Sequence, residues 1–274
     1  MVASTLRFEP LSPTIGAEVS GIDIGGNVSD EVIAGLRQGL LDHKVLFFRE
    51  QHITTEEHLA FARRFGDLEV HPVTPLDQQH HEVLMIRHDE NRRGVENTWH
   101  SDVTWRPEPS LGSILRARSV PPVGGDTLFA DMYAAYEGLP ESVRDEIDGL
   151  SAIHDFTRVF GRSVSDERKQ EMMRRYPSVE HPVVRTHPET GRQGIYVNAA
   201  FTVAIKGVSD SDSARLLALL YRQASIPEYQ CRFKWRADSL AFWDNRSTQH
   251  YAVSDYFPHV REMERVTIVG DRPY

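Results

Sequence analysis

The chain has 274 residues, of which 40% are hydrophobic and 26% are charged, and its formal net charge at pH 7 is -9. A chain of this length and ordinary composition buries a core without disulfides, which excludes disordered, coiled-coil and collagen-like proteins. Because the acidic charge is diffuse and no stripe of Lys or Arg is present, we exclude nucleic-acid binding as the function.

The only cysteine is Cys231, so internal disulfides and cysteine-rich zinc sites are excluded. The first residues lack a basic region followed by an apolar core, and no stretch approaches the roughly 20 apolar residues that a membrane-spanning helix needs. These features predict a cytoplasmic protein with no membrane partner. A metal site would have to combine carboxylates with some of the 13 histidines.

The first predicted elements are two helices with a strand between them. Residues 29–41 combine a Ser-Asp cap with apolar residues at helical spacing, and the run KVLFF that follows predicts a buried strand. Thr54 and Glu57 have the spacing of a capping box, which predicts that a second helix begins there and ends near Gly66.

The rest of the chain is predicted to be rich in strands, with further helices over residues 132–150 and 212–223. The segment RTHPETGRQGIYVN predicts a hairpin around a Glu-Thr-Gly turn, and YQCRFKWRADSLAFWDN predicts two alternating strands around another turn. No repeat or linker marks a boundary, so residues 1–274 are predicted to form a single domain. The order of elements predicts a mainly β fold with flanking helices, either a β-sandwich or a jelly roll.

The segment NTWHSDVT contains a histidine and an aspartate two residues apart. Residues i and i+2 of an extended strand project to the same face, so His100 and Asp102 are candidate ligands of one metal ion. About two His-x-Asp or His-x-Glu pairs are expected by chance, and four occur, at His80, His88, His100 and His187. Only the His100 pair has apolar flanks that predict an enclosed position; a buried His-Asp hydrogen bond is the alternative interpretation.

The C-terminal region supplies a third candidate ligand and two arginines. His250 follows a predicted strand, and Arg261 and Arg265 lie four residues apart in REMERVTI. In a strand or a helix both guanidinium groups would point the same way, and like charges on an inward face need anions to compensate them. The alternatives are salt bridges to surface acids for the arginines and a core position for His250.

Eight segments of the chain together resemble a known enzyme family. They are GAEVSGIDI, VLFFREQ, FGDLEVHPV, WHSDVTW, PPVGGDTLFAD, HPVVRTHPETG, WDNRSTQHYA and RVTIVGDRP. On these segments the chain resembles the taurine/2-oxoglutarate dioxygenases, a branch of the non-haem Fe(II) oxygenases, over nearly its whole length. The resemblance implies a double-stranded β-helix, that is, a jelly-roll core with flanking helices, in agreement with the predicted elements.

The resemblance also implies where Fe(II), 2-oxoglutarate and O2 bind. His100, Asp102 and His250 fall on the positions of the family's 2-His-1-carboxylate iron ligands, which leave three coordination positions open for 2-oxoglutarate and O2. Thr127 and Arg261 fall on the positions that hold the distal carboxylate of 2-oxoglutarate.

The substrate implied by the resemblance is a small anionic organosulfur compound. Arg265 and His71 fall on positions that bind a sulfonate, the backbone at Val103 adds a donor there, and Phe156 and Phe201 match aromatic residues that line the substrate pocket. The implied reaction hydroxylates the carbon that bears the sulfur and releases sulfite and an aldehyde, together with succinate and CO2. A homo-oligomer is compatible with the resemblance.

Two positions depart from the family's taurine enzyme, in which a tyrosine and an asparagine meet the substrate's amine. Here these positions hold Thr74 and Glu96, with Asn97 next to the second. The anion end of the predicted substrate site is retained and the amine end is altered, so Glu96 indicates either a partner for an ammonium group or a different substrate. Taurine is the leading predicted substrate, and an alkylsulfatase-type or other anionic-substrate oxygenase of the same family is the alternative.

Two other classes of function are weaker hypotheses. A zinc hydrolase with the same three ligands gives no reason for two aligned arginines. A non-catalytic jelly-roll binding protein gives no reason for an intact set of ligands.

Overall fold

A computed structural model describes residues 6–72, 74, 79–161 and 164–274. The first seven strands within these residues are β1 (Arg7–Pro10), β2 (Ala17–Ser20), β3 (Val45–Phe48), β4 (Val83–His88), β5 (Gly112–Ser119), β6 (Thr127–Asp131) and β7 (Ser151–His154). The later strands are β8 (Val179–Pro182), β9 (Val184–Thr186), β10 (Gln193–Ile195), β11 (Thr202–Ile205), β12 (Gln230–Phe233), β13 (Leu240–Asp244), β14 (Thr248–Ala252) and β15 (Arg261–Ile268).

Helices flank these strands. The α-helices of the described residues are α1 (Asp30–His43), α2 (Thr55–Arg63), α3 (Met132–Glu137), α4 (Glu141–Ile147), α5 (Thr157–Phe160), α6 (Asp166–Arg175) and α7 (Asp210–Gln223). A short 3-10 helix, Pro227–Tyr229, precedes β12. None of the helices in the described part of the chain has both the length and the apolar character needed to cross a lipid bilayer.

The strands form one large sheet and three small ones. The large sheet has the order β1-β2-β3-β13-β5-β15-β4, and the small sheets have the orders β12-β6-β14, β11-β7-β8 and β10-β9. All pairs are antiparallel except β2 and β3. Neighbouring strands are mostly distant in the chain, as in a jelly roll, and the predicted fold class, mainly β with flanking helices, is confirmed.

Aromatic side chains fill the space between the large sheet and the β12-β6-β14 sheet. Phe47 of the large sheet stacks on Phe233 of the small one, with 4.1 Å between ring centroids. Phe129 packs edge-on against Phe47 at 5.6 Å and also contacts Trp243 at 5.7 Å. This core holds β6 and β14, which carry candidate site residues, at a fixed distance from the large sheet.

The other face of the large sheet is covered by α1 and α2. Ser29 caps α1 and accepts a hydrogen bond from Val32 N at 3.4 Å. The predicted capping box of α2 is confirmed, because Thr54 Oγ1 accepts from Glu57 N at 3.1 Å and the Glu57 carboxylate accepts from Thr54 N at 2.6 Å. With both faces covered, the central strands are buried on both sides.

Two predictions of secondary structure are wrong in part. The single helix over residues 132–150 is divided, because α3 ends before Gly138 and α4 begins after Pro140, whose extended backbone cannot continue a helix. The two strands predicted within YQCRFKWRADSLAFWDN exist as β12 and β13, but only β12 alternates, because β13 lies inside the large sheet and is buried at every position. The hairpin around the Glu-Thr-Gly turn is confirmed as the antiparallel pair β9 and β10, and α5 and α6 were not predicted.

A buried ionic network joins the end of β13 to the β9–β10 hairpin. Asp244, 1% exposed, accepts hydrogen bonds from Arg246 Nη2 at 2.7 Å and from His187 Nε2 at 3.0 Å. Arg246 also donates to Glu189 at 2.8 Å. Burial by itself would raise the pKa of Asp244, but Arg246 and His187 outweigh it and hold this pKa below its ordinary value.

We expect Asp244→Asn to lower the free energy of unfolding at neutral pH by about 3–5 kcal/mol, because it leaves the Arg246 guanidinium buried without its closest counter-charge. The folded-state pKa of Asp244 is depressed, so this contribution is complete above the ordinary value of 3.8 and is lost as pH falls below it. Denaturant unfolding of parent and variant at about pH 7 and about pH 3 measures the difference, which should narrow at the lower pH.

The matched control is Glu137→Gln, which removes one partner of the exposed Glu137–Arg192 ion pair. This change should cost less than about 1 kcal/mol. Equal destabilisation by the two substitutions would contradict a special role for the buried network.

Candidate active site

His100 and His250 face each other across an isolated antiparallel bridge. His100 N donates to His250 O at 3.1 Å, and His250 N donates to His100 O at 2.8 Å. The two imidazole centroids are 4.1 Å apart. His250 lies in β14 opposite Phe129 of β6, so the aromatic core beneath β6 supports the bridge.

Asp102 reaches the same point from a turn, and the strand predicted around it is wrong. Beyond the His100 bridge, residues 102–105 form a turn in which Val103 has a φ of 49°. Asn245 takes the place of a strand partner: its Oδ1 accepts from Asp102 N at 2.6 Å, and its Nδ2 donates to Asp102 O at 2.9 Å. A buried amide distant in sequence therefore directs the carboxylate toward the two imidazoles.

The three candidate ligands converge as the sequence predicts. Their ligand atoms all lie within 4.8 Å of one another. Asp102 Oδ1 is 3.9 Å from His100 Nε2 and 4.0 Å from His250 Nε2. Two imidazoles and one carboxylate at this spacing form a donor set that suits Fe(II) and leaves coordination positions for other ligands.

Hydrogen bonds orient two of these ligands, His100 and Asp102. His100 Nδ1 lies 2.7 Å from Thr98 O, so Nδ1 carries the proton and the Nε2 lone pair is directed toward the candidate metal position. Ser113 Oγ donates to Asp102 Oδ2 at 3.0 Å, which leaves Oδ1 as the oxygen that faces the histidines.

Burial and charge set the protonation states of the candidate ligands. Burial, with a smaller effect of nearby His100, lowers the pKa of His250 to about 3. Burial would raise the pKa of Asp102, but Arg265 and the two histidines hold it below its ordinary range. A neutral imidazole at His250 and an ionised carboxylate at Asp102 are the states that metal binding requires.

Arg261 and Thr127 line one cavity together with His100 and His250. The Arg261 guanidinium is buried, and its Nε donates to Gly125 O at 3.1 Å. None of the carboxylates in the described residues forms an ion pair with Arg261 within 4.0 Å. The positive charge of Arg261 is therefore not neutralised by a direct ion pair, which suits an anionic group of a ligand.

Arg265 contacts the candidate ligands directly. Its Nη1 donates to Asp102 Oδ1 at 2.7 Å, and its buried Nε has no hydrogen-bond partner among the described residues. His71 is also buried, and burial together with Arg265 lowers its pKa to about 3. The structure thus brings a guanidinium with an unused donor and a neutral imidazole together beside Asp102.

Aromatic side chains form a wall next to these polar groups. Phe201 lies edge-on to His100 at 6.3 Å between ring centroids. Phe160 lies between Phe201 and His71, at 6.4 Å from each. Val103 belongs to the same cluster of buried residues as Phe201. Val103, Phe201 and His71, all predicted substrate-site residues, are therefore neighbours here.

Phe160 is not among the residues that the sequence predicts for the site. Phe156, which is among them, is 3% exposed and packs between Phe160 at 4.4 Å and Trp105 at 4.7 Å. The signal was the spacing of Phe156 and Phe160, four residues apart, which places both rings on one face of a helix. That signal was lost because α5, a helix of four residues, was not predicted.

The two positions that depart from the taurine pattern lie in different surroundings. Thr74 N donates to His71 O at 2.9 Å, and the buried Thr74 hydroxyl has no hydrogen-bond partner in the described residues. Glu96 instead lines the cavity that contains Arg261, where its Oε1 is 3.2 Å from His88 Nε2.

Comparisons with known proteins agree with this geometry. The profile of the family described as "Taurine catabolism dioxygenase TauD, TfdA family" matches residues 7–267. An alkylsulfatase of Acinetobacter baylyi is 35% identical over 97% of this chain and 86% of its own length. An alpha-ketoglutarate-dependent sulfate ester dioxygenase of Pseudomonas putida is 35% identical over 99% of this chain and 92% of its own.

A solved structure is similar over the same extent. A taurine dioxygenase from Burkholderia xenovorans is 40% identical, superposes with a TM-score of 0.85, and covers 98% of this chain and 90% of its own.

We expect Asp102→Ala to weaken metal binding severely, because it removes the only anionic donor of the three, and we expect His100→Ala and His250→Ala to behave alike. Calorimetric titration with Mn(II), a redox-stable probe for Fe(II), measures the affinity without turnover. Ser113→Ala removes only a hydrogen bond to Asp102 and should lower the affinity for the metal ion about tenfold. Full affinity in Asp102→Ala would refute the assignment of these ligands.

Proposed function

The chain belongs to the taurine catabolism dioxygenase TauD, TfdA family, and from this premise we propose that it hydroxylates the carbon next to the sulfur oxyanion of a small organosulfur substrate. As a member of this family it is a dioxygenase that depends on Fe(II), 2-oxoglutarate and O2. The product hydroxylated at that carbon is unstable and breaks down to an aldehyde. A sulfonate would release sulfite in this step, and a sulfate ester would release sulfate.

We assign the iron to His100, Asp102 and His250. Iron and 2-oxoglutarate supply the oxidising chemistry, and the protein supplies position and charge. Thr127 and Arg261 would hold the distal carboxylate of 2-oxoglutarate, since Arg261 has an unpaired buried charge in the cavity that both histidines line.

The contact between Arg265 and Asp102 carries the proposal. Because Arg265 Nη1 lies 2.7 Å from a candidate metal ligand, an oxyanion bound to this guanidinium is held beside the metal. The carbon attached to that oxyanion is then the part of the substrate nearest to the oxidising centre. Holding one C–H bond close to a fixed centre favours reaction at that bond over reaction further along the tail.

The surroundings of the anion site favour an uncharged tail on the substrate. Phe160 and Phe201 provide an apolar wall. The buried carboxylate of Glu69 is already paired with Arg106 at 2.8 Å, and Thr74 offers only a hydroxyl. Among the residues that the structure describes beside this wall, an ammonium group would find no unpaired carboxylate to offset its lost hydration, whereas an alkyl chain would gain apolar contacts. We therefore place alkyl sulfate esters and alkanesulfonates first.

Taurine is the second candidate. It is the leading prediction from the sequence, and the structural neighbour that is 40% identical is a taurine dioxygenase. The Thr74 hydroxyl is the acceptor that this candidate would require for the amine.

A substrate panel distinguishes these candidates. We expect kcat/KM, measured as substrate-dependent O2 consumption with Fe(II) and 2-oxoglutarate, to be at least about tenfold higher for hexyl sulfate or hexanesulfonate than for taurine, from the burial of the alkyl chain. Sulfite and sulfate assays identify the product. Phe160→Ala should lower kcat/KM for the hexyl substrates and leave taurine nearly unchanged. A preference for taurine would establish the second candidate, and no stimulation by any of the three would contradict the proposal.

We expect Arg261→Ala to raise the KM for 2-oxoglutarate by about one to two orders of magnitude, since a charge-assisted hydrogen bond contributes roughly 1.5–3 kcal/mol. Metal affinity should not change. Arg87→Ala is the control, because Arg87 lies on the neighbouring strand and is paired with Glu262 at the surface. An unchanged KM in Arg261→Ala would mean that another residue holds the distal carboxylate.

A further inference from the structure

A chain of three polar side chains extends along the wall of the cosubstrate cavity. Glu96 Oε1 lies 3.2 Å from His88 Nε2, and His88 Nδ1 lies 2.9 Å from the Tyr256 hydroxyl. The Arg261 guanidinium is 5.9 Å from the centre of the Tyr256 ring. Glu96, His88, Tyr256 and Arg261 all line the cavity that also contains Thr127.

The loop that carries Glu96 is held in this position by close contacts. Ser254 Oγ donates to Gly94 O at 2.5 Å. A side chain at Gly94 would place its Cβ 2.7 Å from the Tyr256 hydroxyl, so only glycine allows the loop to approach this closely. With the backbone fixed two residues earlier, Glu96 is directed toward His88 and the cavity.

Glu96 brings negative charge into a site that is built for an anion. Burial would raise the pKa of Glu96, but its hydrogen bond with His88 outweighs burial and lowers this pKa to about 2, so the carboxylate is ionised near neutral pH. Burial lowers the pKa of Arg261, and Tyr256 and Glu96 partly oppose this effect. Glu96 therefore interacts with Arg261 through space, although no ion pair within 4.0 Å joins them.

On the basis of the proposed function, we infer that Glu96 sets the affinity of the site for dicarboxylates. A 2-oxoglutarate molecule bound to Arg261 and Thr127 brings its distal carboxylate into the cavity that the Glu96 carboxylate already lines. The Glu96 side chain is 42% exposed, so solvent screens part of the repulsion between the two carboxylates, and the remaining repulsion opposes binding. Glu96 thus weakens the binding of 2-oxoglutarate.

The same repulsion acts on succinate, the product that keeps this distal carboxylate. Succinate bound to Arg261 would delay the next cycle, because it occupies the position that the incoming 2-oxoglutarate requires. Glu96 therefore promotes release of the product, and weaker binding of the cosubstrate accompanies this effect. This role differs from the sequence-based hypothesis, in which Glu96 meets an ammonium group of the substrate.

The substitution Glu96→Gln tests the inference, because it removes the charge and keeps the shape and a hydrogen-bond acceptor for His88. We expect the Kd of 2-oxoglutarate and that of succinate to fall together by about three- to tenfold, the size expected for one screened like-charge contact. Calorimetry on the Mn(II)-loaded protein without organosulfur substrate measures both constants. In turnover, inhibition by succinate should become stronger by the same factor.

The matched control is Glu90→Gln. Glu90 is an exposed acid on the same loop, and its substitution removes the same net charge from the protein. It should leave both constants unchanged. Two results with Glu96→Gln would overturn the inference: unchanged dicarboxylate affinities, or a selective loss of taurine turnover. Either result would favour the hypothesis that Glu96 meets the ammonium group of the substrate. Weaker dicarboxylate binding in Glu96→Gln would also overturn the inference, because it would mean that Glu96 supports the cosubstrate site by positioning His88.

A failure of the proposed function gives a different result. If the Mn(II)-loaded parent protein does not bind 2-oxoglutarate, or if Arg261→Ala binds it as tightly as the parent, then the assignment of the cosubstrate site is wrong regardless of Glu96.

Discussion

The backbone pairing of His100 with His250 is the constraint on which the candidate active site depends. Two hydrogen bonds join the loop that carries Asp102 to β14, and β14 is held by β6 and the aromatic core beneath it. This bridge fixes the backbone segments that carry the two imidazoles, and Asn245 fixes the backbone of Asp102 from the end of β13. The rigid sheets thus set the position of the candidate metal site, and the Asn245 amide completes it.

The positions of the cations divide the site into two regions with different charge. Arg261 and Arg265 lie on one strand, which is one of the two placements that the sequence leaves open, and their surroundings differ. Arg265 is compensated by Asp102, so it retains donors beside the metal and adds little net charge. Arg261 has aromatic and backbone neighbours and a more distant carboxylate. The first region suits a monoanion next to the metal, and the second suits the carboxylate of a cosubstrate.

Local patterns in the sequence were sufficient for much of this arrangement. The helix caps at Ser29 and Thr54 follow from side chains a few residues apart, and both are found. The sequence leaves REMERVTI open between a strand and a helix, and the structure has a strand there. The turn at Asp102 could not be predicted, because it depends on Asn245, which is brought near only by folding. The surroundings of Glu96 likewise depend on the approach of Gly94 to Tyr256. Long-range contacts of this kind leave no periodicity in the sequence.

The hydrogen bond between Arg265 and Asp102 also links two binding equilibria. The oxygen that accepts from Arg265 is Oδ1, the same atom that lies closest to both candidate histidine ligands. A metal ion held at this site would therefore share one carboxylate oxygen with the Arg265 guanidinium, and a substrate oxyanion bound as proposed would share that guanidinium. Because coupling free energies are reciprocal, any effect of the metal on oxyanion affinity is matched by an equal effect of the oxyanion on metal affinity. The loss of iron from this protein should accordingly depend on how much substrate is present.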